Sequence, residues 1–560
     1  MAKTKLSSPN LAADYYLGNF KFLLNWVWQR YSDLLNHDEQ QFIATFKELT
    51  HDSQCLFVRL SSRKGTMFRR NKLRYAEISS IDHAGQALIK SGLLCDDIPL
   101  NLQELADLLT KEELIQLFEY QRSGMKQQRK DDIIRCLGQQ FPQAATWAQW
   151  TGDAQRGTPL GGIYCIHNQT TIKTLLLLFF GNAYQDLTEF VLQDLGVFRY
   201  ENYPVDEQHR LFKNRKALEQ YQQLVHLREQ LEQTNSSDKL VELASQMPNC
   251  CANDQLERRR ARLCNQLAYK LERVKKYTAA LQLYTQSHLP PARERRVRLL
   301  EKQGDYSQAW TLLNEVLTDP KTEQEHQVAQ RIAPRLAKKL GLAAATRPPS
   351  RLIEKHLTLK PIQNDAGKWV RVEEVVRQHL HEADAICVFA ENFLLNGLLG
   401  LWLWPEMFRG INGAFTNPFQ SAPLDMYHEN FVSSRPQIDS LWHLFESDAY
   451  KHHISSVWQE KFGIHNQWVN WTLLTKDILE IALESIPAKD LKSIFSRMLF
   501  DLKNNRSGLP DLIQFFPKQN SYRMIEVKGP GDRPQDNQLR WLTFFSEHDI
   551  PAEIIYVRWH

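Results

Sequence analysis

The sequence is poor in the features that announce the commoner metal, redox and membrane chemistries. Its eight cysteines in 560 residues are scattered, apart from the adjacent Cys250 and Cys251, and no CxxC pair occurs. That excludes a zinc ribbon and a disulfide framework and leaves reduced thiols as the expectation. The eighteen histidines include no HExxH pair, and a lone one such as His428 reads as structural rather than as a ligand. No Walker-type Gly-rich loop is present, so ATP hydrolysis has no support. The most apolar run, Leu394 to Trp404, is broken by Asn396, Gly397 and Gly400 and falls short of the roughly 20 residues that span a bilayer. Met1 to Asn10 is polar, with no signal-peptide core. A soluble, cytoplasmic protein is expected, at the nucleoid in a bacterium or in the nucleus of a eukaryote, with no membrane partner. Net charge is only +4, so any nucleic-acid contact must come from local clusters.

What is present is length and helical periodicity. At roughly 150 residues per domain the chain holds three or four domains. Apolar residues recur at three- and four-residue spacing through most of it, while strand-like runs gather after Leu509. The expected fold is multi-domain and mainly α, ending in a compact α/β domain. The expected divisions are a helical N-terminal region over 1–99, a small helical unit over 100–142, a helical linker with repeats over 143–345 and a terminal domain over 346–560, its core at about 440–560.

Three segments carry local signals. Arg59, Arg63, Lys64, Arg69, Arg70, Lys72 and Arg74 occur without an intervening acid, with Phe68 and Tyr75 among them; such a run favours phosphate contact over a merely solvated surface. Between Leu100 and Phe141, Thr110 with Glu113 forms a capping box, Gly124 breaks the helix, and Lys126, Arg129 and Lys130 lead into Ile133, Ile134 and Leu137. Lys276 to Leu281 matches Asp305 to Trp310 at a spacing of 29 residues, with Ala280 and Ala309 small enough for close helix approach. This is a helical-hairpin repeat a little shorter than the ~34-residue tetratricopeptide unit. Arginine clusters at 258–262 and 293–298 precede the hairpins. Arg295 and Arg298 are candidates for a 5′ phosphate, set against the bland reading of a charged, soluble repeat face. Ala343 to Ser350, with Pro348-Pro349, reads as a linker.

The chemistry lies near the end. In Gly508-Leu509-Pro510-Asp511-Leu512-Ile513, Asp511 opens an apolar strand; after a turn over Pro517 to Ser521 comes Tyr522 to Lys528, stopped by Gly529-Pro530. Strand side chains alternate faces, so Ile525 and Val527 point to a core, and Glu526 and Lys528 point together the other way. Asp511 and Glu526 then make an oxygen-rich site for Mg²⁺ or Mn²⁺, which keep several waters and need few protein ligands. Lys528 would orient a water or offset charge on a phosphate. Pro534 suits the first turn of a following helix, in which Trp541, Leu542 and Phe545 pack on the sheet and Gln538 reaches the cleft edge. Taken singly, each has a plain alternative: Asp511 as a turn residue, Glu526 and Lys528 as a solvated edge, Asp532 and Arg533 as helix caps, Gln538 as an exposed helix residue.

The combined string is much rarer. Gly508 to His560, with Pro510-Asp511 and Glu526-Val527-Lys528-Gly529-Pro530-Gly531-Asp532-Arg533, resembles the virus-type replication-repair nuclease domain of the PD-(D/E)xK superfamily. With the long helical body and the Tyr15-Tyr16-Leu17 start, the chain is similar over almost its full length to the Fanconi-associated nuclease family. That resemblance implies a structure-selective DNA endonuclease and 5′-to-3′ exonuclease, acting on 5′ flaps and in interstrand-crosslink repair. It implies a SAP-like unit near 100–142 and branched or flapped duplex DNA as partner. It also implies Glu391 as a fourth site residue, on a helix, where the family usually has Gly next and this chain has Asn392. The implied metal set is Glu391, Asp511, Glu526 and the carbonyl of Val527. The rivals are a Holliday-junction-resolvase-like nuclease on the same core, and a non-catalytic scaffold for DNA or protein.

Overall fold

The computed structural model describes residues 12–118, 128–152, 160–185, 187, 198–251, 253–343 and 352–560. Two compact units divide at Phe198/Arg199. Gly124 and Lys126, and residues 344–350 of the expected linker, lie outside the described residues. Among the described residues no helix is long and apolar enough to cross a membrane.

The first unit opens with helices Tyr15–Tyr31, His37–Glu48 and His51–Ser61. Short polar caps start the second and third: Asn36 and Glu39 form a reciprocal capping box, and the Thr50 side chain accepts from Ser53 N. Their apolar faces meet through Phe20, Phe42, Phe46 and Phe57, the Phe20–Phe46 pair edge-to-face at 5.0 Å. The expected capping box at Thr110 and Glu113 starts Lys111–Leu117, which packs with Leu102–Leu108 and Lys130–Gln140 around Leu105, Leu114, Ile133 and Leu137. Short strands occur here too, which the periodicity did not foresee. Ile163–Ile166 lies between Met67–Arg69 and Leu94–Cys95 in an antiparallel sheet. The stretch from residue 143, read as linker, therefore supplies the middle strand of the first unit.

In the second unit the repeat forms as expected. Asp254–Arg273 packs on Tyr277–Thr285, and Ala292–Gln303 on Tyr306–Thr318. Ala280 and Ala309 are fully buried where the helices approach. A last repeat helix, α1 (Glu323–Lys339), follows.

The terminal domain is built on a five-stranded mixed sheet: β1 (Ile353–Leu359), β2 (Ile386–Phe389), β3 (Leu512–Phe516), β4 (Ser521–Lys528) and β5 (Ala552–Trp559), in spatial order β1-β5-β4-β3-β2. Both edge strands thus come from well before residue 440, the expected start of the core. β2, β3 and β4 are antiparallel neighbours, whereas β5 runs parallel to both β4 and β1. A parallel return needs a crossover. Helices α2 (Val372–Leu380) and α3 (Leu394–Trp402) flank β2, and α4 (Asp536–Glu547) joins β4 to β5. One sheet face buries Leu512, Ile525, Val527, Ile555 and Val557 with Val376 of α2. The other buries Ile513, Phe515, Tyr522 and Met524 under Trp541, Phe544 and Phe545 of α4. α1 lies along α4: Arg331 forks onto Asp536 at 2.7 and 2.9 Å, and Gln327 accepts from Arg540 at 2.9 Å.

Candidate active site

Gly508 (φ +82°) lets the chain turn tightly against α4, where a Cβ would meet Asn537 at 2.8 Å. Pro510 then leads into Asp511 and β3. The chain returns through a 3₁₀ turn, Pro517–Gln519, and Asn520 in the left-handed region. The β3–β4 register pairs Leu512 with Ile525, so one step further Asp511 falls opposite Glu526. On β4 the face that buries Tyr522 and Met524 ends in Glu526 and Lys528, 0% and 8% exposed. These are not the solvated edge that alternation alone allowed; an apolar face becomes charged at its end.

The pairings there are specific. Asp511 Oδ2 accepts from Val527 N at 2.8 Å, and Lys528 Nζ donates to Glu526 Oε1 at 2.5 Å. Glu526 Oε2 is buried with no hydrogen-bond partner among the described residues, an arrangement that costs free energy unless a cation arrives. Burial, then the charge of Asp511, pushes the Glu526 carboxyl up to about 8. Burial pushes Asp511 up to about 6, opposed by the Val527 N–H and Lys528 and reinforced by Glu391 and Glu373. Two buried carboxylates facing each other with one ammonium are short of positive charge, and hard oxygen donors of this kind fit a divalent ion.

Glu391 differs from its expected setting. It lies not on a helix but in the turn between β2 and α3. That turn is tied to the site: the amides of Ala390 and Glu391 donate to the Asp511 carbonyl at 2.9 and 3.3 Å. Asn392 has φ +57°, which explains a Gly-like position, since Asn tolerates the left-handed region best after Gly. Its amide donates to Glu391 Oε1 at 2.9 Å. Among the described residues no three His, Cys, Asp or Glu side chains form a ready-made ion cage. The expected set of Glu391, Asp511 and Glu526 is close enough for its charges to be felt but is not preassembled.

Other expected residues have structural duties. The Gln538 side-chain oxygen accepts from Gln535 N at 2.8 Å, as the third-residue partner of a capping box in the first turn of α4. That helix begins at Asp536, beyond Pro534, and Asp532 caps the Gly529 amide instead of the helix. Glu373, at the start of α2, was not singled out from the sequence. Nothing in Val372-Glu373-Glu374 separates it from Glu374, which pairs with Arg377; only the folded chain brings it near Asp511.

The basic clusters are largely neutralised in space. Arg69, 5% exposed, binds Glu113 at 2.6 Å and the Leu160 carbonyl; Arg70 binds Asp96 at 2.6 Å; Lys72 lies 3.6 Å from Glu113. Lys130 Nζ donates to the carbonyls of Ala106 and Leu109 at 2.6 and 2.8 Å. Arg295 is committed to Glu272 and Arg298 to Glu294, each at 2.5 Å. Arg63 and Lys64 stay exposed; among the described residues Arg63 reaches the Tyr75 hydroxyl and the Phe68 ring. Arg63, Lys72 and Arg74 border a cavity of about 510 Å³ with Tyr15 and Tyr75. In the second unit Arg258, Arg262, Lys321 and Lys503 line another of about 470 Å³. There burial and then the Arg258 and Arg262 charges hold His428 neutral, down at about 3, and Arg258 Nε is buried without a partner.

A mixed sheet carrying an Asp opposite a Glu, with a Lys two residues on, defines a nuclease domain. Residues 446–559 match the VRR-NUC domain, 14–95 the FAN1 HTH domain, and 99–150 the Fanconi anemia-associated nuclease SAP domain. The chain is 39% identical to the Fanconi-associated nuclease 1 homolog of Pseudomonas aeruginosa, covering 100% of this chain and 98% of that protein. It belongs to the Fanconi-associated nuclease family, and is a DNA nuclease. The Arabidopsis thaliana homolog is 25% identical, with 99% of this chain matched to 68% of its length. The human protein is 23% identical, with 97% matched to 62%. A crystal structure of paFAN1 bound to DNA with a 2-nucleotide 5′ flap and a gap superposes with a TM-score of 0.88 at 39% identity, over 99% of this chain and 100% of that one. The family implies a divalent metal cofactor, and membership sets aside the non-catalytic scaffold.

Proposed function

We propose that this protein cuts one strand of branched DNA at 5′ flaps, and trims it 5′ to 3′, in interstrand-crosslink repair. Asp511, Glu526, Glu391 and the Val527 carbonyl would hold Mg²⁺ or Mn²⁺. The observation that carries this reading is the partnerless buried oxygen of Glu526 beside Asp511. When bound, the ion supplies Lewis-acid polarisation of the scissile phosphate. The protein does the rest. Asp511 and Glu526 give up their protons to the solvent as the site charges. Lys528, held at Glu526 Oε1, orients the attacking water and offsets charge on the phosphate oxygens. Glu391 swings from Asn392 to complete the set, and Glu373 offers a further carboxylate for a second ion.

For DNA contact, Arg63 and Lys64 are the best placed of the expected cations, because among the described residues neither is paired with a carboxylate. Lys126 keeps its expected role as a backbone contact. For a 5′ phosphate the cavity bordered by Arg258, Arg262 and Lys503 is a second candidate beside Arg295 and Arg298. The small helical unit would begin at 99/100 and run past 142, since Trp147, Leu160 and Ile163 share its core. The test compares purified protein on 5′-flap, nicked, Y-shaped and four-way DNA with Mg²⁺, Mn²⁺ or EDTA. Metal-dependent cutting that favours the 5′ flap is expected; a preference for four-way junctions would favour the resolvase-like rival.

A further inference from the structure

Between β1 and α2 the chain makes a tight hairpin over Lys360 to Arg371. Val370 N donates to the Ile362 carbonyl at 2.8 Å, Asn364 N to Lys368 at 2.9 Å, and Gly367 N to Asn364 at 2.8 Å. The Asn364 side chain accepts from Ala366 N and Lys368 N at 3.1 and 3.0 Å. Gly367 takes φ +71°, which closes the turn. A hairpin bonded this completely holds its side chains in fixed directions, yet it leaves Trp369 67% exposed. A large ring held out by an ordered backbone leaves two thirds of its surface to solvent.

Two further observations give the ring a partner. Lys360, Lys368 and Arg371 share its hairpin with a single acid, Asp365, and none of the three cations forms an ion pair among the described residues. The hairpin also ends at the cutting site. Arg371 precedes α2, which packs on β4; Val372 Cγ1 lies 3.7 Å from where a Cβ on Gly529 would stand, directly after Lys528. One residue on, Glu373 is near enough for its charge to act on Asp511. From Trp369 to Val372 the backbone spans at most about 10 Å, the reach of a few nucleotides. Interleaved cations and an exposed aromatic ring are what single-stranded nucleic acid recognises, through phosphate attraction and base stacking.

We propose that Trp369 is a stacking platform for an unpaired or frayed base next to the scissile phosphate, with Lys368 and Arg371 holding adjacent phosphates. Trp369 is a positioning residue: it fixes which nucleotide lies over the carboxylates and touches no reacting atom. The inference rests on the reading of Asp511, Glu526 and Lys528 as the cutting site. Stacking of ordinary strength is worth roughly 5- to 100-fold in binding.

The test uses the full chain and 5′-flap DNA carrying 2-aminopurine at each of three positions flanking the junction. In EDTA, where no cutting occurs, the wild type should quench the probe at one position. Trp369→Phe should keep most of that quench, and Trp369→Ala should lose it. With Mg²⁺, Trp369→Ala should raise KM about 10-fold, with the loss falling in KM rather than kcat, and Trp369→Phe should restore most of it. Equal quenching by wild type and Trp369→Ala at all three positions, with equal KM, overturns the proposal and leaves the ring as a contact for protein. Asp511→Ala separates the two failures. If it still cuts, the site reading is wrong; if it is dead while Trp369→Ala is unchanged, only the stacking proposal falls.

Discussion

Arg260 and Glu526 are both ionisable and almost fully buried, at 3% and 0% exposed, and their surroundings differ in kind. The Arg260 guanidinium is spent on Glu257 and on the carbonyls of Pro248 and Gln286. Its neighbours in the repeat follow suit: Arg293 takes Glu325 and Arg295 takes Glu272. Glu526 satisfies one oxygen with Lys528 and leaves the other bare, facing a second raised carboxylate. Buried charge that is fully answered holds helices together; buried charge left in deficit marks where a ligand belongs.

The largest effect tests the deficit directly. Asp511→Ala should lower cleavage on the order of 10³-fold or more while flap DNA affinity, followed by fluorescence anisotropy, changes little. Retained cutting would mean that the unsatisfied site is not the catalytic one. Next comes an answered charge. Arg69→Ala leaves Glu113 without its buried partner and should destabilise the first unit by about 3 kcal/mol in denaturant unfolding. Burial alone would raise the Glu113 carboxyl, but the Arg69 guanidinium wins and holds it down at about 2. Its contribution is therefore present above the unfolded value near 4.3 and lost as pH falls toward 2. The wild type should lose stability over that interval faster than Arg69→Ala.

A third measurement sharpens the contrast through protons. Asp511 and Glu526 sit at about 6 and about 8, so protons compete with the ion, and metal binding must release them. The half-saturating Mg²⁺ concentration should fall at least about 10-fold between pH 6 and pH 8, by calorimetry as well as by rate. A flat dependence would place the ion elsewhere. The smallest effect belongs to an exposed pair. Arg331→Ala removes the fork onto Asp536, more than half exposed on both sides, and should cost less than about 1 kcal/mol in thermal unfolding.

The same contrast explains what could be read from the sequence. Asp511, Glu526 and Lys528 were legible because strand alternation and the flanking Gly508, Pro510 and Gly529 are local rules that the fold obeys. So were the repeat hairpins, through Ala280 and Ala309, and the Thr110–Glu113 cap. The ion pairs of Arg69 and Arg295 were not legible because their carboxylates come from far along the chain: Glu113 is 44 residues from Arg69, and Glu272 is 23 from Arg295. Glu373 was invisible because proximity to Asp511 exists only after folding. β1 was missed because its residues are mostly exposed, so no alternating apolar pattern marks it. Asn392, a mismatch by sequence, becomes intelligible through one backbone angle.

β5 lies between β4 and β1 and hydrogen-bonds in parallel to both. The strand carrying Glu526 and Lys528 therefore gains its second neighbour, and β1 its only one among the described residues, from a segment that leaves the ribosome after every candidate catalytic residue has been made. A nascent chain holds all the acids and the lysine before it holds the floor beneath them. Competence to cut DNA would thus arrive late in synthesis, and a chain ended before Ala552 should carry the whole motif and still be harmless to the genome.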